Sequence, residues 1–456
     1  MKRTLISLAV SSALAAATGL FPSTAFAQNA EIEALKQQLA ALAGKLEALE
    51  KAQMQTRKTG EEAQATADRT ADVVAQSRAA LSFAGDLRYR NETFDVEYVD
   101  SNRNRDRVRA RLNANFRVND TITGGIGIAT GGPDPRSSNQ TLTDQNSRKD
   151  FELDLGFVTW APNADWRITA GKQRYSFTRT GSLFYDGDVN PEGISANYAK
   201  GNFFAGVFYD WLAERALSFN NVTTGTNTDS VMFGGQVGYR IPFSDSVRLT
   251  LAGTYMDFSG VQDYNPFFGG SSFGNTTRTT GCARAVAANT ACLASDFDIL
   301  EASADLTATV AGKPLRFFID YATNTAAEIN PVAQDELDTA YAAGVQYGSA
   351  SAARGTWDVG LLYQQIEKDS LFGQLLDSDF GDGNTDTQGF VIRGGYTVAR
   401  NWTVNATLFL NELSNDVPQS VTVFNESTAA PYDTTNVANV LDRDYKRLQL
   451  DLNFRF

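Results

Sequence analysis

From about residue 81 to its end, the chain alternates apolar and polar residues with a period of two. The last ten residues show it most plainly. Leu448, Leu450, Leu452, Phe454 and Phe456 share one face, and Arg447, Gln449, Asp451, Asn453 and Arg455 share the other. Side chains of an extended strand point alternately to its two faces, so this is a strand with one apolar and one polar side. The same pattern predicts strands near 82–94, 105–118, 122–130, 150–161, 165–174, 192–199, 202–211 and 230–240. It predicts others near 247–259, 297–310, 315–324, 338–349, 356–367, 388–398, 402–413 and 444–456, sixteen in all.

Short connections such as Asn119-Asp120, Pro162-Asn163, Lys200-Gly201, Gly312-Lys313-Pro314 and Arg400-Asn401 carry turn residues. They alternate with long polar stretches near 95–104, 131–149, 175–191, 212–229, 260–296, 325–337, 368–387 and 414–443. Short turns on one side and long loops on the other are the stringing of a transmembrane antiparallel β-barrel, with lipid outside and water inside. An even strand number returns both ends to the short-turn, periplasmic side.

A different pattern precedes the strands. Ile32, Leu35, Leu39, Leu42, Leu46 and Leu49 recur at heptad a/d spacing, with Glu and Lys outside the seam. This predicts an α-helical coiled coil, or else an amphipathic helix lying on a surface. Residues 52–80 continue the register weakly past Gly60 and read as a helical or flexible spacer. Residues 1–27 read as a secretory signal: Lys2 and Arg3, an apolar middle, and Ala25-Phe26-Ala27 as the cleavage site. The expected organisation is therefore signal 1–27, periplasmic coil and spacer 28–80, and barrel 81–456.

Composition adds exclusions. No later segment carries about 18 uninterrupted apolar residues, so no transmembrane helix is predicted. Cleavage of the signal removes two positive charges and no acids, taking the net charge from −13 to −15, which gives no footing for nucleic acid. With no histidine, the chain lacks His-based catalysis and the commonest zinc ligand. Neither a metal site nor a cofactor is expected. Cys282 and Cys292, the two cysteines, suggest one disulfide in an exported chain, against the alternative of two free thiols.

Signal, heptad segment, alternating strands and terminal Phe456 together resemble the Gram-negative trimeric porins of the outer membrane. Ala170-Gly171-Lys172-Gln173, followed by Asp186-Gly187-Asp188-Val189-Asn190-Pro191-Glu192-Gly193, looks like the "putative porin" family. Phosphate-selective porins carry an N-terminal coil too. The resemblance implies a homotrimer in outer-membrane lipid and a third loop folded into the barrel. It also implies a terminal aromatic, Phe456, that barrel-assembly machinery reads.

The densest chemical signal lies on strand 2, where Arg105, Arg107, Arg109 and Arg111 share a face with Asn113, Asn115 and Arg117. A charge facing lipid at midplane costs about 2–4 kcal/mol, so the row must face the lumen. Arg88 and Arg90 extend it from strand 1. If the third loop folds inward as in porins, Arg107, Arg109 and Arg111 face Asp186, Asp188 and Glu192 across a constriction. Lys172 and Arg174 precede that loop, but their parity with Trp166 and Ile168 argues against a lumenal position. The bland alternative is that these charges pair and pin the loop. Trp160, Trp166, Trp211, Trp357 and Trp402 fall near strand ends, as in interfacial aromatic girdles.

The leading expectation is a non-enzymatic, passive diffusion channel for small hydrophilic solutes or ions. An anion- or phosphate-selective channel and a structural barrel tethering the membrane to peptidoglycan are the alternatives.

Overall fold

The computed structural model describes residues 25–98, 103–142, 145–215, 229–267, 271–283, 290–424 and 434–456. The chain falls into two compact units that divide between Arg78 and Ala79. The first is a single helix, α1 (Ala25–Ala80). Most of the expected signal lies outside the described residues. The helix runs unbroken through Gly60, so the expected spacer is helical. Its leucine stripe is exposed, from 51% at Leu39 to 69% at Leu49. The helix also carries ordinary helical pairs, Lys36 with Glu33 at 2.8 Å and Arg57 with Glu61 at 3.0 Å.

The second unit is a closed antiparallel β-barrel. Its strands are β1 (Leu81–Val96), β2 (Arg103–Arg117), β3 (Ile122–Thr130), β4 (Phe151–Trp160), β5 (Trp166–Lys172), β6 (Glu192–Lys200), β7 (Phe203–Ala213) and β8 (Ser230–Ser244). They continue as β9 (Val247–Ser259), β10 (Asp298–Val310), β11 (Lys313–Asn324), β12 (Thr339–Gly348), β13 (Trp357–Ile366), β14 (Thr387–Ala399), β15 (Trp402–Leu413) and β16 (Arg443–Arg455). Each pairs with its neighbour in sequence, and β16 returns to β1, from Asp86 opposite Arg455 to Val96 opposite Tyr445. The sheet also takes in Gln140–Thr141, a two-residue loop segment beside β2, so among the described residues sixteen strands form the wall.

The seam ends on the last residue. Gly85 and Phe456 exchange backbone hydrogen bonds of 3.0 and 3.1 Å. The Phe456 ring lies over Gly85, where any β-carbon would collide with it.

Two local departures from the expected pattern have steric causes. The turn between β10 and β11 is Ala311-Gly312, both with positive φ (50° and 72°), so Lys313 and Pro314 belong to β11. That is the geometry a two-residue hairpin needs. β8 runs past residue 240 because Pro242 sits at a register shift opposite Arg248, where a missing N–H is tolerated.

Outward side chains such as Leu87, Tyr89, Ile126, Val207, Tyr209, Ile319 and Leu450 are large, apolar and exposed, as a lipid-facing belt requires. Trp160, Trp166, Trp357 and Trp402 all stand at short-turn ends of their strands. Trp166 packs on Tyr198, Trp357 on Tyr347 and Trp402 on Phe454, with centroids 5.0, 5.7 and 5.2 Å apart. Trp211 lies near the long-loop end of β7.

The lumen departs from the expectation of a wholly polar interior. Phe208, Met256, Phe258, Ile299, Phe318 and Leu362 are buried on the inner wall between β7 and β13. They pack on Phe177, Phe184 and Tyr185 of L3 (173–191), the loop between β5 and β6. They also pack on Leu371, Phe372 and Phe380 of L7 (367–386), between β13 and β14. Loops that fold inward exclude water, so inner positions beneath them turn apolar.

Candidate functional site

Opposite that apolar half, β16, β1 and β2 present a charged wall. Three layers run down it from the long-loop end. Uppermost, the buried Glu92 accepts from Arg105 at 2.6 Å, from Gln449 Nε2 at 3.2 Å and from Arg447. The Arg447 guanidinium also meets Asp379 of L7 at 2.7 Å and lies 4.9 Å over the Phe94 ring. Next, Arg90 grips Asp451 bidentately at 2.7 and 2.8 Å, and its remaining arm reaches Asp379 at 2.9 Å. Fork-to-fork pairing of this kind fixes geometry as well as charge.

In the third layer Asp86 bridges Arg109 and Arg111, both at 2.8 Å. Asp188 of L3 then meets the same pair. Its Oδ1 lies 3.2 Å from Arg111 and 3.6 Å from Arg109, while Oδ2 accepts the Ser138 N–H at 3.1 Å and hydroxyl at 2.6 Å. Arg88 donates to Asn139 Oδ1 at 2.6 Å, and Arg107 donates to Ser137 Oγ and the Asn139 carbonyl, both at 3.2 Å.

The structure brings Arg88, Arg90, Arg109, Arg111 and Asp188 together on one stretch of the inner wall. Two acids depart from the sequence expectation. Asp186 does not face the row: it accepts the N–H groups of Asp188 and Ser378, both at 2.8 Å, and so clasps L3 to L7. Glu192 pairs with Lys172 at 3.0 Å, directly opposite it across β5 and β6. Both carry the outward parity of Trp166 and Ile194, which removes Glu192 from the row. Arg174, beyond the end of β5, escapes that parity and lines a lumenal cavity with Arg167.

Asp86, Glu92, Asp379 and Asp451 are the acids that the arginine pattern did not point to. The wall acids had a signal, because Asp86 and Glu92 share strand-1 parity with Arg88 and Arg90. Asp379 had none, since nothing local says that L7 turns inward.

The loop acids divide by what surrounds them. Burial raises the Asp188 carboxyl, but Arg109, the two Ser138 hydrogen bonds and Arg111 together outweigh it and hold the group below its ordinary range. Asp379 is held far lower still, its burial overcome by Arg447 and Arg90. Asp186 lies well above the ordinary range through burial and the neighbouring Asp377 and Asp188 carboxylates. Asp377 is pushed up to about 6 by burial and by Asp379.

Across the lumen, Glu301 accepts the Tyr185 hydroxyl at 3.1 Å, and Asp320 accepts from Thr180 and Ser182 at 2.7 and 2.8 Å. L3 is therefore held on both sides of the barrel. In L5, between β9 and β10, Cys282 and Cys292 are bonded, S–S 2.07 Å, beside the small hairpin of Thr277–Arg278 and Cys292–Leu293.

A closed barrel with charges on its inner wall and an inward third loop has the anatomy of a channel. A family model described as "putative porin" matches residues 53–266 and 271–430. The chain belongs to this family. Its fold is similar to that of OprB from Pseudomonas putida in a high-pH structure, with 14% identity over 83% of this chain and 94% of that one, TM-score 0.51. OmpT of Vibrio cholerae in its trimer form has 13% identity over 83% and 100%, TM-score 0.43. OmpF of Salmonella typhi in complex with daunomycin has 12% identity over 82% and 97%, TM-score 0.44. No curated protein matches. Family and fold together make this porin an outer-membrane channel protein. At such low identity the solved structures speak to fold alone.

Proposed function

We propose that the chain forms a water-filled channel for passive diffusion of small hydrophilic solutes and ions. The observation that carries this reading is the charged inner wall itself. Among the described residues, the ion-pair partners of Arg90, Arg105, Arg107, Arg109, Arg111 and Arg447 are Asp86, Glu92, Asp188, Asp379 and Asp451, while Arg88 meets the amide of Asn139. Seven guanidiniums against five carboxylates leave a modest positive excess. Its pairing into the loops argues for a wall that pins L3 and L7 and biases the lumen toward anions. A strong phosphate ladder would leave its cations unpaired.

We extend the proposal to assembly. The exposed leucine stripe of α1 favours self-association in the periplasm, and the porin relationship favours three copies. Phe456, closing the seam, is proposed as the residue that assembly machinery reads.

Reversal potentials across planar bilayers in a KCl gradient test the channel. Wild-type protein is expected to conduct with mild chloride preference. Changing Arg107, Arg109 and Arg111 to Ala is expected to shift the potential toward potassium and to make the current noisier, because Asp188 loses its anchor. A barrel that inserts without conducting would overturn the proposal.

A further inference from the structure

Below the paired row, toward the short-turn end, lies a lumenal cavity of about 570 Å³ between β2, β4, β5, β6 and the first residues of L3. That is the size range of small-molecule sites. Strand alternation brings Asn113 and Asn115 of β2, Arg167 of β5 and Asn197 of β6 onto its wall, and Gln173 and Arg174 enter from L3.

Its chemistry inverts that of the row above. No Asp or Glu lines the cavity. Arg167 and Arg174 are exposed to it, and neither forms an ion pair with a described residue. Two like charges on one wall without an acid repel each other, and an anion placed between them relieves the repulsion.

Neutral polar side chains indicate the rest of the ligand. Asn113, Asn115, Gln173 and Asn197 line the same cavity. Side-chain amides carry both hydrogen-bond donors and acceptors. A ligand hydroxyl supplies both, whereas a bare anion supplies only acceptors. Leu155 and Phe157 add an apolar flank against which a carbon chain can lie.

We propose that this cavity is a subsite for small hydroxylated carboxylates, with the carboxylate at Arg167 and Arg174 and the hydroxyls at the Asn and Gln amides. The proposal rests on the channel reading and names its preferred solute class.

Calorimetric titration of the full-length protein in detergent with sodium gluconate tests it. Saturable binding is expected. It should weaken roughly tenfold or more in Arg167→Gln/Arg174→Gln, the loss expected when charge-assisted hydrogen bonds are removed. Lys446→Gln, whose ammonium pairs with Asp444 on the exposed surface, should leave gluconate binding within about twofold of wild type. Asn113→Ala supplies an independent variant on a neutral lining residue and should also weaken binding.

Equal affinity for glucose would overturn the anionic assignment, and equal affinity for inorganic phosphate would overturn the hydroxylated one. No change in the arginine double variant would overturn the site. Binding in detergent does not depend on conduction. Protein that conducts without binding gluconate therefore sinks the subsite alone, and protein that binds it without conducting sinks the channel reading alone.

Discussion

At the scale of single residues, the charged wall is a network of shared ion pairs. Glu92 serves Arg105, Arg447 and Gln449 at once and has no exposed surface. Glu92→Ala would leave buried guanidiniums uncompensated, a loss that costs about 3–5 kcal/mol. We expect a lower urea midpoint for the refolded barrel and looser attachment of L7; an unchanged midpoint would contradict the reading. Asp377 has the opposite character. Its carboxyl is pushed up to about 6, so the folded loop binds its proton more tightly than the unfolded chain does. Between about pH 4 and 6 the junction therefore gains stability as pH falls, and it gives that stability up as pH rises through 6. Asp188 and Asp379, held low, contribute above about pH 4 and lose their contribution only in stronger acid. Amide exchange at Asp186 and Ser378, corrected for intrinsic rate, should be slower at about pH 5 than at neutral pH in wild type. Asp377→Asn keeps the acceptor oxygen for the Asp379 and Phe380 N–H groups and should reduce that difference, the remainder following Asp186, whose carboxyl is also held high.

At the scale of elements, strands were easy to read and loops were not. A strand of a membrane barrel has lipid on one side and protein or water on the other, so its alternation is enforced residue by residue. Expected and observed strands therefore differ mostly at their ends, and the longer differences trace to Pro242 and to the Ala311-Gly312 turn. A loop has no such periodic constraint. L3 carries Asp188 to the arginine row, but that meeting depends on Phe177, Phe184 and Tyr185 finding apolar seats on the far wall. Glu192 misses the row by strand parity, and Asp186 misses it because its acceptors are taken by Asp188 and Ser378. The helix is a separate element with its own test. Deleting residues 30–51 should lower the oligomer mass measured in detergent, because the exposed stripe from Leu35 to Leu49 is marginal as a lone helix in water. An unchanged mass would assign assembly to the barrel wall.

At the scale of the whole molecule, the lumen has two halves. One side is an arginine wall paired with acids from three sources: the wall itself, L3 and L7. The other is an apolar surface that holds those loops in place. Arg167 and Arg174, which form no ion pair with a described residue, lie below this level in the cavity near the short-turn end. Sequence alone determined the barrel, its strand count, the inward direction of the arginine row and the seam at Phe456. Each follows from a period-two pattern that the bilayer imposes locally. Tertiary structure alone decided which acids answer the arginines, that L7 joins L3 inside, and that Arg174 turns to the lumen. Those outcomes depend on long-range packing between strands and loops far apart in the chain, and no local pattern encodes it.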